Sequence, residues 1–164
     1  MSELGKLEGG EVALARQEIE LDILVDELAS GMHEGGDRGV HLEVRRAARP
    51  IIITGDRTRL SAALKALMHS ALRERSDAGM IVVESSIVDG TPGWGVLAIG
   101  DESVLPSLRE AAADTPSDFD EWRGGLGLAL PVARRVIEAH GGALWSTGDG
   151  QARAASALRL PLRT

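Results

Sequence analysis

Residues 124–131, Gly-Gly-Leu-Gly-Leu-Ala-Leu-Pro, run directly into residues 132–142, Val-Ala-Arg-Arg-Val-Ile-Glu-Ala-His-Gly-Gly. Small residues open onto an apolar-periodic segment that closes at a glycine pair. A helix whose first turn is built on glycines offers an anion its free backbone N–H groups and its positive dipole end, with no side chain in the way. Pro131 suits such a first turn, where its missing N–H would have had no partner. Gly141 is the left-handed residue at which a helix stops. A plain structural turn is the competing reading, because glycine-rich turns before helices arise often. The surrounding chain has to decide between them.

The order of elements along the 164 residues gives the fold class. Residues 11–21 carry Val12, Leu14, Ile19 and Leu21 at period two and are predicted to form a strand. Asp22 is then the expected cap of a helix through Ile23, Leu24, Leu28 and Ala29. A loop around Gly35, Gly36 and Gly39 leads to an alternating strand over 40–44 and a more buried one over 51–54. Asp56 is a natural N-cap for a helix from 57 to about 73, with Leu60, Ala63, Leu64, Leu67, Met68, Ala71 and Leu72 at three-and-four spacing. Residues 80–88 and 95–99 form a hairpin, and a short helix follows Pro106. Residues 113–123 are an exposed loop, and strands over 143–147 and 154–160 flank Gly148-Asp149-Gly150. Such an order implies an α+β two-layer sandwich, a mixed sheet with helices on one face. A Rossmann arrangement is excluded, because the glycine box lies late and no βαβ alternation surrounds it.

Composition narrows the function classes. Hydrophobic residues make up 43% and charged residues 26%, as in a globular domain, and no apolar run nears the roughly 20 residues that span a bilayer. The start has no signal-peptide pattern. The absence of cysteine excludes disulfides and thiolate metal sites and suits a cytoplasmic location. A net charge of −7 argues against nucleic acid as a partner. Arg45, Arg46 and Arg49, and likewise Arg134 and Arg135, are read as solvated faces. With three tryptophans, one phenylalanine and no tyrosine, the chain has little with which to stack single-stranded bases. Trp94, Trp122 and Trp145 are expected to pack in the core or at its edge, and His69 to be a partly exposed helical residue.

The stretch from 124 to 145, GGLGLALPVARRVIEAHGGALW, resembles the second glycine box and following helix of the sensor histidine kinase ATP-binding domain, the fold shared with DNA gyrase and MutL. The resemblance covers about 7–162. It implies that residues 1–10 end a helical segment of the dimerisation and phosphoacceptor type, or a linker, and that 11–164 form the ATP-binding domain. It further implies ATP and Mg²⁺ as ligands, and a helical phosphoacceptor domain or a response regulator as partner. No phosphoacceptor histidine is identified in the chain itself. His33-Glu34 lacks the continuation of that motif, and His140 is typical of the helix end in the family.

Matched residue by residue, the site departs from the family's pattern. Ser70 stands where active members carry the Mg²⁺-binding Asn, with a shorter reach toward an ion that is strict about distance. Arg73 keeps the basic position and could meet a phosphate. Asp101 matches the adenine-reading Asp of the first glycine box if one residue is deleted after it; without that gap Gly100 falls there. Both glycines of that box are replaced by residues among Glu102, Ser103 and Val104, so the loop is expected to be reshaped. Gly125, Leu126, Gly127 and Leu128 keep the phosphate-binding backbone, while Arg123 stands where the family often has another glycine. Asp114, Asp118, Asp120 and Glu121 place carboxylates in the lid. The final turn lacks its Thr and Phe, since Gln151, Ala152 and Arg153 follow Gly150. Two readings result: a degenerate, pseudokinase-like domain with weak or lost nucleotide binding and a docking or regulatory role, favoured here, or a working module that phosphorylates a histidine on a separate helical domain. An anti-sigma-type serine kinase or another ATPase of the superfamily is a third.

Overall fold

A computed structural model describes residues 15–33, 36–75, 77–113, 129–146 and 155–163. The first strand, β1 (Gln17–Glu20), is followed at once by α1 (Leu21–Ser30), then β2 (Val40–Arg45), β3 (Ile52–Gly55) and α2 (Arg57–Glu74). The antiparallel pair β4 (Gly79–Val88) and β5 (Trp94–Gly100) comes next, then the short α3 (Leu105–Glu110), α4 (Ala129–Ala139), β6 (Ala143–Trp145) and β7 (Ser156–Pro161). Five strands form one sheet in the order β2-β4-β5-β7-β6, while β1 and β3 pair separately. Only β2 against β4 is parallel, so the sheet is mixed. The expected α+β fold class is the one observed.

Alternation along β5 sorts the core into two sides. Leu97 and Ile99 face the main core with Leu24 and Val25 of α1, Leu64 and Met68 of α2, and Ala133 and Ile137 of α4. Val96 and Ala98 face a second cluster with Leu105, Leu108, Ala112 and Trp145. A strand buried on both faces loses the polar alternation of an exposed one, which is why residues 94–100 read WGVLAIG. The three longer helices lie together on one side, and α3 closes part of the other. Each fully buried Leu or Ile contributes about 1.5–3 kcal/mol.

Two boundaries differ from expectation. Within the described residues the first strand ends at Glu20, and Leu21 already begins the helix. Leu21 donates its N–H to the Ile51 carbonyl at 2.8 Å, so it is held like a strand residue while its side chain joins the helical face. Asp22 is therefore not the cap. Glu20 holds the N-cap position with extended backbone and no side-chain hydrogen bond, and Asp22 lies buried in the first turn with Oδ1 unpaired. The residues read as the lid, the second glycine box at 124–128 and the turn at 148–150 lie outside the described residues, as does the segment 1–10.

The helix ends that the sequence marked at Asp56 and Gly141 are built as read. The Asp56 carboxylate accepts the Arg59 N–H at 3.1 Å through Oδ1 and the Ala15 N–H at 3.2 Å through Oδ2, a cap worth about 1 kcal/mol. At the end of α4, Gly142 N–H donates to Ile137 and Gly141 N–H to Glu138, the paired bonds of a Schellman motif, with Gly141 at φ +83°. His140 joins these two ends. Its buried Nε2 accepts the Asp56 N–H at 3.0 Å, and Nδ1 lies 2.7 Å from the Val136 carbonyl. An acceptor at Nε2 fixes a neutral ring with its proton on Nδ1. The C-terminus of α4 is thus pinned to the N-terminus of α2, and the two helices run in opposite directions.

Candidate nucleotide-binding site

Antiparallel packing carries the described start of α4, Ala129, toward the second half of α2. There, on the last two turns of α2, stand Ser70 and Arg73. Arg73 is exposed and free to meet solvent, whereas Ser70 is 2% exposed. Its hydroxyl has no hydrogen-bond partner and is sealed among α2's apolar neighbours. Gly125, Leu126, Gly127 and Leu128 fall outside the described residues, so their part in the site is a matter of sequence alone.

Asp101 follows β5 directly, its side chain about half exposed. It is brought to the C-terminal end of α2 by a residue that the sequence analysis did not single out. Arg75, immediately past α2, pairs through Nη1 with Asp101 Oδ1. Arg75 also donates through Nε to the Asp77 carbonyl at 3.1 Å and through Nη2 to the Ala78 carbonyl at 3.4 Å. Nothing in its spacing marks Arg75, since 26 residues separate it from its partner.

The loop after Asp101, which lacks the family's glycines, is a compact turn. Residues Glu102–Val104 form a 3-10 turn, closed by the Val104 N–H on the Asp101 carbonyl at 3.0 Å. Asp101 and Val104 have φ of −63° and −98°, so neither needs the left-handed region and no Cβ penalty arises there. Glu102 pairs with Arg45 Nη1 at 3.0 Å, and Arg45 also holds Glu43 at 2.8 Å. These carboxylates raise the pKa of Arg45 above its ordinary value, Glu102 more than Glu43. Arg46 pairs with Asp26, and Arg49 with Asp89. The basic strip at 45–49 is thereby neutralised by neighbours. Arg134 and Arg135 likewise meet Glu138, at 3.3 and 3.2 Å.

The arrangement of a mixed five-stranded sheet with helices packed on it is shared with known structures. A histidine kinase of Acinetobacter baumannii, AdeS, superposes with a TM-score of 0.70 at 20% identity, over 99% of this chain and 75% of that one. The chain has the fold of a histidine kinase catalytic domain. A mycobacterial sensor histidine kinase, MprB, matches with a TM-score of 0.62 at 20% identity over 90% of this chain and 99% of that one. Full-length ShkA, solved in complex with AMPPNP, matches with a TM-score of 0.70 at 20% identity over 99% of this chain and 34% of that one. In sequence the chain is 26% identical over 154 residues to the sensor protein DivL of Caulobacter vibrioides, covering 85% of this chain. It spans 18% of the length of that curated relative. No protein-family model matches the chain.

Magnesium is implied by the fold family, and the described residues do not suit it. Mg²⁺ requires near-octahedral oxygen ligands and keeps several of its waters. The one oxygen offered at the matching position is the neutral, buried, orphaned hydroxyl of Ser70. Among the described residues no group of three His, Cys, Asp or Glu side chains converges to hold a metal ion. Asp101, the residue that the resemblance matches to the adenine-reading position, already has a cationic partner. No described helix is long and apolar enough to cross a membrane.

Proposed function

We propose that this chain is the ATP-binding, catalytic-type domain of a two-component sensor histidine kinase, with nucleotide binding weakened or lost and the fold retained as a docking or regulatory surface. The observation that carries this reading is that Ser70, which the resemblance matches to the family's metal-binding amide, has a hydroxyl closed off from solvent. Without a metal between the phosphates, a triphosphate retains its full charge beside an acidic domain of net charge −7. The partner would be a helical phosphoacceptor domain or a response regulator in the cytoplasm. The second reading, a working module that transfers the γ-phosphoryl group to a histidine elsewhere, is favoured by the exposed Arg73 and by Asp101 at the end of β5.

Calorimetric titration with ATP and Mg²⁺ separates the two. Weak binding, with no saturation below millimolar nucleotide, is the expected result, and micromolar saturation would establish the working module instead. Ser70→Asn, which restores the longer amide, is expected to tighten the Mg²⁺-dependent part of binding by about tenfold, the scale on which metal affinity responds to the groups that position its ligands. No gain in a folded Ser70→Asn protein would show that the amide is not the defect.

A further inference from the structure

The best-built polar feature at this end of the molecule is a contact within the chain. The Arg75 guanidinium spends its donors on three acceptors: the Asp77 carbonyl, the Ala78 carbonyl and the Asp101 carboxylate. It lies flat across Gly79, where a Cβ would stand 2.2 Å from Nη2. Gly79 also has φ +149°, a conformation in which side chains are strained. The backbone at 77–79 therefore forms a seat for this guanidinium, and the Arg75 side chain is only 22% exposed. Arg45 holds the adjacent Glu102 in the same way, so the two acidic residues that follow β5 are each tied down by an arginine from a different element.

We propose that Arg75 is an internal plug: it supplies to Asp101 the cationic N–H donor that would otherwise be the exocyclic amino group of an adenine base. This rests on the reading of Asp101 as the base-reading carboxylate. A carboxylate oxygen can accept from more than one donor, but a planar guanidinium seated beside it occupies the space a purine edge would need. Adenine must then displace a cationic donor from the carboxylate and offer a neutral one in its place. The plug acts on the base, independently of what Ser70 does to the metal.

The test uses the full chain and two nucleotides that differ at the base edge, ATP and inosine triphosphate, which carries an oxygen in place of the amino group. Each is titrated by calorimetry without metal into the wild type, Arg75→Gln, Arg75→Ala and Arg75→Gln/Asp101→Asn, with circular dichroism melts to verify folding. Arg75→Gln retains a donor for the 77–78 carbonyls and guards against a folding defect in the alanine variant. Removing the guanidinium is expected to tighten ATP by about fivefold, the upper range for a partly exposed ion pair. Inosine triphosphate should be unchanged, and Asp101→Asn should cancel the gain. Unaltered or weaker ATP binding in both folded Arg75 variants would overturn the plug, and so would an equal gain for both nucleotides, which would show that the guanidinium does not compete with the amino group. Tight ATP·Mg²⁺ binding by the wild type would instead refute the weakened-binding reading of the domain. The plug is judged separately, by the variants' ratio to wild type.

Discussion

His140→Ala is expected to lower the free energy of unfolding by about 2–4 kcal/mol, because it strands the buried Asp56 N–H and leaves a cavity. The Asp56 N–H loses its acceptor, while the Val136 carbonyl loses the Nδ1 contact and keeps the backbone N–H of residue 140 at 3.2 Å. The ring also fills the space beside Gly55, where a Cβ would meet it at 2.6 Å. Urea unfolding followed by circular dichroism reads the loss. The same ring makes stability depend on pH. Burial pushes the His140 pKa below its ordinary 6.5, opposed by the Val136 carbonyl and Asp56 and reinforced by Arg16 and Arg59. With the folded value lowered, the unfolded chain binds the extra proton first, so this contribution is complete above pH 6.5 and is lost as pH falls from there through the folded value. The wild type should therefore lose stability more steeply than His140→Ala below pH 6.5, and parallel pH profiles would refute a neutral buried ring.

Trp145→Ala carries the second large effect, about 3–5 kcal/mol for the loss of a buried aromatic side chain. Trp145 is 1% exposed, and its Nε1–H donates to the Leu108 carbonyl at 3.0 Å. It is the largest side chain in the cluster that holds α3 on the second face of the sheet. Since α3 follows directly on Asp101 and its 3-10 turn, loosening it should spread to that turn. Hydrogen exchange at 105–112 is expected to rise in Trp145→Phe, which keeps the ring but lacks the N–H, while the amides of α2 remain protected. Uniform exposure across the domain would mean that the two clusters do not unfold as separate units.

Much of the fold is legible in short windows of the chain. Asp56 followed by Leu60, Ala63, Leu64 and Leu67 announces a capped amphipathic helix, and Gly141-Gly142 announces its partner's end. The hairpin of β4 and β5 follows from two apolar runs around a glycine-proline turn. The boundary at Leu21 misleads because that residue serves two periodicities at once, ending an alternating run and opening the face of Leu24 and Val25. Asp22 looks like a cap from its neighbours alone, and only its burial in the first turn shows otherwise. The candidate site is legible in residue type but not in state. Ser70 and Asp101 are visible as departures or matches in sequence, yet neither the sealing of the hydroxyl nor the partner of the carboxylate can be read from their surroundings in the chain.

From sequence alone come the fold class and the ends of α2 and α4. These depend on hydrogen bonds and apolar periodicity within a few residues of each other. Tertiary structure alone decided the parallel register of β2 on β4, the separate pairing of β1 with β3, the Asp56–His140 link across 84 residues and the Arg75–Asp101 contact across 26. Each of these joins groups whose sequence separation carries no periodic signal. Their geometry is set by the packing of helices on the sheet, which fixes where side chains meet only after the whole core has closed.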